Sequence, residues 1–168
     1  LEKLPPFSTF KIWNTLFGIE TGLIASVDDP FYKWDGETRF IPEWNKDLTL
    51  REAFKASCVP AFQELARKIG TEKMQLWIEK IHYGDCDISL GTDRFWLPKA
   101  GEKSILITPL EQAELLLSLV SNKLPVSSKA LEMLEEILKV DEEEYDSLYG
   151  KTGTGVDENE KPDLGWFV

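Results

Sequence analysis

Apolar side chains recur with a helical period along most of the chain. Phe10, Trp13, Leu16 and Phe17 share one face of a first helix, which the pattern starts at Ser8 and stops at Gly18. Leu50, Ala53 and Phe54 mark a short helix opened by Thr49 and running toward Ser57. Pro60 suits the first position of a further helix, closed by Gly70, with Phe62, Leu65, Ala66 and Ile69 on its apolar face. Thr71 caps the next, along which Met74, Trp77, Ile78 and Ile81 align. Thr108-Pro109-Leu110-Glu111 joins a capping box to a proline at the first helical position, before a face of Ala113, Leu116, Leu117 and Val120. Ser127 or Ser128 begins a last helix through Leu131, Leu134, Ile137 and Leu138.

The rest of the chain breaks that period. Residues 29–44 carry Asp-Pro, Asp-Gly and Ile-Pro turn signals among aromatics and read as loop. The acidic run Asp141-Glu142-Glu143-Glu144 reads as a solvated helix end or loop. Strand patterns appear only late, at Ser147–Gly153 and Leu164–Val168, on either side of a polar turn. The elements predict an α+β protein, a helix-rich body joined to part of a β-sheet.

Composition narrows the function. At 168 residues and 42% hydrophobic content, the chain is most simply one domain with a real core. Six Trp, nine Phe and four Tyr suit a dense core or an aromatic-walled site. A net charge of −11 with no basic cluster excludes nucleic acid as a partner. Cys58, Cys86 and the single His82 have neither the number nor the spacing for a disulfide scaffold or a metal site. No apolar run approaches the length of a membrane span.

Three short motifs carry candidate chemistry. Ser8-Thr9-Phe10-Lys11 sets a serine and a lysine one helical turn apart, so the amine can reach the hydroxyl. N–H groups at a helix start favour developing negative charge, and Phe10 and Trp13 can desolvate Lys11 and lower its pKa. Ten serines and fifteen lysines give about one such pair by chance, and a capping serine beside a solvated lysine has the same sequence. Lys151-Thr152-Gly153, followed by Thr154-Gly155, stands on a strand whose backbone can pair with an extended acyl substrate while the cation holds a carboxylate. A tight turn with an exposed lysine is the plain alternative. Ser57, in Ser57-Cys58-Val59-Pro60, reads as an N-cap between two helices, a place from which a hydroxyl can also relay a proton.

Ser-x-x-Lys, then a lone Ser, then Lys-Thr-Gly is the order found in serine β-lactamases and penicillin-binding proteins. Further stretches carry the likeness along the chain: Pro6-Phe7, Gly18-Ile19-Glu20-Thr21-Gly22, Phe40-Ile41-Pro42-Glu43-Trp44-Asn45, Leu48-Thr49-Leu50-Arg51-Glu52-Ala53, Phe95-Trp96-Leu97 and Gly165-Trp166-Phe167-Val168. From end to end the chain resembles the class D, or oxacillinase-type, β-lactamases. The resemblance implies one β-lactamase/transpeptidase-like α+β domain over residues 1–168, with a helix-rich body and a truncated antiparallel sheet, incomplete at both ends.

It also implies β-lactam hydrolysis, with Ser8 as acylated nucleophile and Lys11 as general base. Lys11 would be carbamylated by carbon dioxide or bicarbonate, and no other cofactor is implied. Trp96 would hydrogen-bond the carbamate, Val59 would seal the lysine pocket, and Ser57 would relay protons. Lys151 would support that relay and, beside Thr152 and Gly153, help hold the substrate carboxylate. Backbone N–H groups of Ser8 and Thr154 would form the oxyanion hole, and Tyr83 would contribute to substrate binding. The implied setting is periplasmic or secreted, in a bacterium. A penicillin-binding sensor or transpeptidase-like domain that acylates without efficient turnover shares these motifs and stands as the alternative.

The family's Tyr-Gly-Asn is Tyr83-Gly84-Asp85 here. His82 takes no family role, and Cys58 reads as an inert small side chain. The family's strands before the first motif have no counterpart, nor do its last strands and helix with the usual carboxylate-anchoring arginine. Strand Leu164–Val168 would then offer an unpaired edge for self-association.

Overall fold

The chain enters its core through a 3-10 turn, Phe7–Phe10, that runs directly into helix α1, Lys11–Glu20. The computed structural model describes residues 2–142, 147–156, 159 and 161–168. Every side chain from Lys11 to Ile19 is buried, so α1 is the axis on which the other elements pack. The helix does not stop at Gly18. A Cβ there would lie 2.6 Å from Ile24 Cδ1, so this glycine permits close packing, and the stop comes at Thr21 and Gly22, where φ is 75°.

The following helices are α2, Leu50–Lys55; α3, Val59–Ile69; α4, Thr71–Lys80; α5, Pro109–Val120; and α6, Ser128–Leu138. Thr49 with Glu52 and Thr108 with Glu111 form complete capping boxes, and Ser127 accepts the Ala130 N–H. Two expected starts move by one residue. Helix α3 opens at Val59, which puts Pro60 second, and α4 is capped by Gly70 at φ 81°, with Thr71 already inside the helix.

Helix α5 presents a different face from the expected one. Gln112, Leu115 and Leu119 are buried, whereas Leu117 and Val120 are 62% and 78% exposed. A run so rich in leucine defines no unique stripe, and a buried amide, Gln112, sets the rotation of the helix.

Among the described residues, three antiparallel strand pairs complete the fold: β1, Pro30–Tyr32, with β2, Leu48–Thr49; β3, Lys139–Glu142, with β4, Ser147–Tyr149; and β5, Thr152–Val156, with β6, Pro162–Phe167. The segment 29–44, expected as loop, therefore holds β1 and a second 3-10 turn, Pro42–Trp44. Asp141 and Glu142 belong to β3, not to a helix end, while Glu143 and Glu144 lie outside the described residues. The single strand expected at Ser147–Gly153 divides because the chain changes partner. Gly150 N–H donates to Leu138 O, and Lys151 then exchanges backbone bonds with Val168. Among the described residues β6 is paired with β5 alone, and no helix is long and apolar enough to cross a membrane.

Candidate active site

Ser8 stands inside the 3-10 turn and caps nothing; Pro6 occupies the N-cap position, without a side-chain hydrogen bond. Phe7, at φ 47°, bends the backbone just ahead of it. From the next turn, Lys11 Nζ donates to Ser8 Oγ at 2.7 Å. The Lys11 side chain is wholly buried, with its amine 5.7 Å from the centre of the Phe62 ring. Burial and, second, the nearby charge of Lys151 pull the Lys11 pKa down to about 7. Such an amine is substantially neutral near physiological pH, and a neutral amine 2.7 Å from a hydroxyl can accept a proton from it.

Strand β5 lies flush against this turn because glycines face it. A Cβ on Gly153 would sit 3.0 Å from Pro6 O and 3.1 Å from Thr9 N, and one on Gly155 would sit 2.3 Å from the Phe7 ring. Thr152 and Thr154 alternate to the exposed side. Ahead of them Lys151 turns inward, donating to Ser57 Oγ at 3.0 Å and to Thr152 O at 2.9 Å. Burial lowers its pKa to about 8. Trp166 Nε1 on β6 donates to Pro5 O at 2.9 Å, which ties the second strand to the entry of the same turn.

Ser57 adopts φ 50° between α2 and α3. Its N–H closes on Phe54 O at 3.0 Å, and the Cys58 N–H closes on Ala53 O at 2.8 Å, fixing the connection that offers the hydroxyl to Lys151. Cys58 is a buried free thiol and the N-cap of α3; Val59 follows it, half-buried. Ser8 is thus paired with Lys11 and Ser57 with Lys151, and the two lysines are close enough to influence each other electrostatically.

Aromatic rings wall this site from behind. Trp96 stacks on Phe10 with ring centres 5.6 Å apart, and Phe95 meets both rings edge-on. Trp96 is fully buried, and its Nε1 has no partner among the described residues. Tyr83 is also fully buried and meets Phe10 edge-on at 5.1 Å, so it has no surface to offer a ligand. Its O–H donates to Gln112 Oε1 at 3.2 Å. Gln112 escaped the sequence reading, where the only signal was one amide among leucines. Asp85, standing where the family has an amide, accepts the Leu106 N–H at 3.0 Å, so its carboxylate pins the loop to neighbouring backbone. Beside Lys151 and Thr152 a cleft of about 390 Å³ runs along Phe54, Leu138, Val140 and Phe167.

Comparison with known proteins agrees with this architecture. The penicillin binding protein transpeptidase domain matches residues 2–168. The chain is similar to β-lactamase OXA-10 of Pseudomonas aeruginosa, at 40% identity over 97% of this chain and 60% of that protein. It is also similar to probable β-lactamase YbxI of Bacillus subtilis, at 37% identity over 99% of this chain and 60% of that protein. The crystal structure of FUS-1 (OXA-85), a class D β-lactamase from Fusobacterium nucleatum subsp. polymorphum, superposes with a TM-score of 0.90 at 40% identity. That superposition covers 99% of this chain and 66% of the other. The chain therefore spans about 60% of the length of the relatives it matches.

Proposed function

Because the chain belongs to the class D β-lactamases, within the penicillin-binding transpeptidase domain family, we propose that it hydrolyses β-lactams through an acyl-enzyme on Ser8. The observation that carries this reading is a buried amine, held near neutrality, 2.7 Å from a serine hydroxyl. Ser8 Oγ attacks the lactam carbonyl carbon as its proton passes to Lys11 Nζ. The tetrahedral oxygen gathers negative charge, which the backbone N–H groups of Ser8 and Thr154 stabilise. Collapse breaks the lactam C–N bond, and the ring nitrogen takes a proton from the Ser57–Lys151 pair. Thr152, exposed beside Lys151, shares with it the task of holding the substrate carboxylate. Water then cleaves the Ser8 ester, returning the serine hydroxyl.

The residues also fit a carbamate on Lys11. Its amine is low in pKa and fully buried, and Trp96 offers a buried N–H donor with no other partner among the described residues. When present, such a group would replace the free amine as the base at this position, its carboxylate supplying proton acceptance for both acylation and deacylation.

The test is turnover of a chromogenic cephalosporin by the 168-residue chain. Repeated turnover supports the hydrolase. One burst followed by a stable adduct on Ser8 identifies the acylating, non-hydrolytic alternative, and no adduct at all removes the reading.

A further inference from the structure

We propose that Gln112 is a positioning residue for acyl transfer, holding the turn around Ser8 against β5 through a buried chain of hydrogen bonds; this role rests on the acyl-enzyme reading. The chain has one direction. Tyr83 O–H donates to Gln112 Oε1 at 3.2 Å, Gln112 Nε2 donates to Thr9 Oγ1 at 3.0 Å, and Thr9 O–H donates to Pro6 O at 2.7 Å. Tyr83 and Thr9 are completely buried and Gln112 is 2% exposed, so no group along it can turn to water instead. Thr9 has a single proton, given to Pro6, and must accept from Gln112. Tyr83 likewise needs an acceptor. The Gln112 amide meets both demands at once, its oxygen accepting from Tyr83 while its nitrogen donates to Thr9.

The chain ends where the geometry of the site is decided. Pro6 O and Thr9 N flank Ser8 in sequence, and they are the atoms that a Cβ on Gly153 would meet at 3.0 and 3.1 Å. A shift of the turn changes the separation between the Ser8 and Thr154 N–H groups, and oxyanion stabilisation is steeply sensitive to such placement. Tyr83 is also within hydrogen-bonding reach of Thr9, so losing the Gln112 amide forces the buried groups to re-pair around Thr9, and the turn shifts with it.

The experiment measures single-turnover acylation by penicillin, followed by intact mass, in the parent chain and in variants whose folding is checked by near-UV circular dichroism. Gln112→Met and Thr9→Val are each expected to slow acylation about tenfold. The double variant should be no slower than the worse single one, because one chain is broken twice. Thr9→Ser, which restores the hydroxyl, should keep the parent rate. Gln112→Glu should match the parent at acid pH and fall behind it as the carboxyl ionises and stops donating to Thr9. A merely structural residue would not produce that relative pH profile. Parent rates in Gln112→Met, or multiplicative effects in the double variant, overturn the role. Should Gln112→Met fail to fold, Thr9→Val acylating at the parent rate overturns it alone. A parent chain that takes up no penicillin removes the acyl-enzyme reading and this role together, whereas a labelled parent with unimpaired variants removes only the role.

Discussion

Lys11 Nζ and Ser8 Oγ lie 2.7 Å apart, one group sealed in the core and the other at its edge. The relationship places an amine where water cannot hydrate its charged form, against a hydroxyl that is only half-buried. The neighbouring hydroxyl, on Thr9, is already committed to Pro6 O at 2.7 Å.

Ser8→Ala is therefore expected to abolish the mass increase that penicillin produces on the parent chain. Thr9 cannot substitute, being fully buried. An adduct of the same mass on the Ser8→Ala variant would defeat the mechanism.

Carbamylation of Lys11 should follow the neutral fraction of its amine. With the pKa lowered to about 7, that fraction grows as pH rises through neutrality and disappears in acid. In ¹³C-bicarbonate, a carbamate carbon signal is expected at alkaline pH, absent from Lys11→Met and weaker in Trp96→Phe. Turnover should rise with added bicarbonate over the same range. The same signal in Lys11→Met would place the carbamate elsewhere.

Stability should also rise with pH above neutrality. The folded-state values of Lys11 and Lys151, about 7 and about 8, lie below the ordinary lysine value of 10.5. Between them the unfolded chain binds more protons than the folded one, so the free energy of unfolding increases with pH. Above about pH 9 the trend should flatten and then reverse, because burial holds the Cys58 and Cys86 thiols and the Tyr83 phenol protonated in the fold while the unfolded chain ionises. Urea midpoints measured from about pH 6 to 11 should trace this dome, and Lys11→Met should flatten its rising limb. A midpoint that falls steadily from about pH 7 to 9 contradicts the assignment.

Gly155→Ala is expected to destabilise the fold by about 1–3 kcal/mol through overpacking. The new methyl would meet the Phe7 ring at 2.3 Å, and Phe7 immediately precedes Ser8. Gly165→Ala, with open space around it, is the matched control in the partner strand. Equal urea midpoints for the two variants would show that β5 can retreat from the turn at no cost.

Most helices were legible because local chemistry sets their ends: Thr49 with Glu52, Thr108 with Glu111, and Ser127 all cap as their sequences suggest. The pairing of Ser8 with Lys11 was legible for the same reason, since three residues of a helical turn define the distance. What escaped depends on contacts far away in sequence. Gly18 reads as a stop until Ile24 is seen against it. The buried face of α5 depends on Gln112 meeting Thr9, 103 residues earlier. Tyr83 belongs to a motif of the family, yet only packing reveals that it faces Phe10 and has no exposed surface. The division of Ser147–Gly153 likewise follows from a change of hydrogen-bonding partner at Gly150.

The left-handed backbone at Ser57 sets two selective pressures against each other. An L-residue at φ 50° carries a steric cost of about 1–2 kcal/mol that glycine lacks. Ser57→Gly relieves that cost and removes the hydroxyl that meets Lys151 at 3.0 Å. The glycine variant is thus expected to melt no lower than the parent while turning over β-lactam far more slowly, and a much lower melting point would show that the hydroxyl also holds the fold. A library sorted only by resistance to heat would, at this position, enrich the sluggish enzyme.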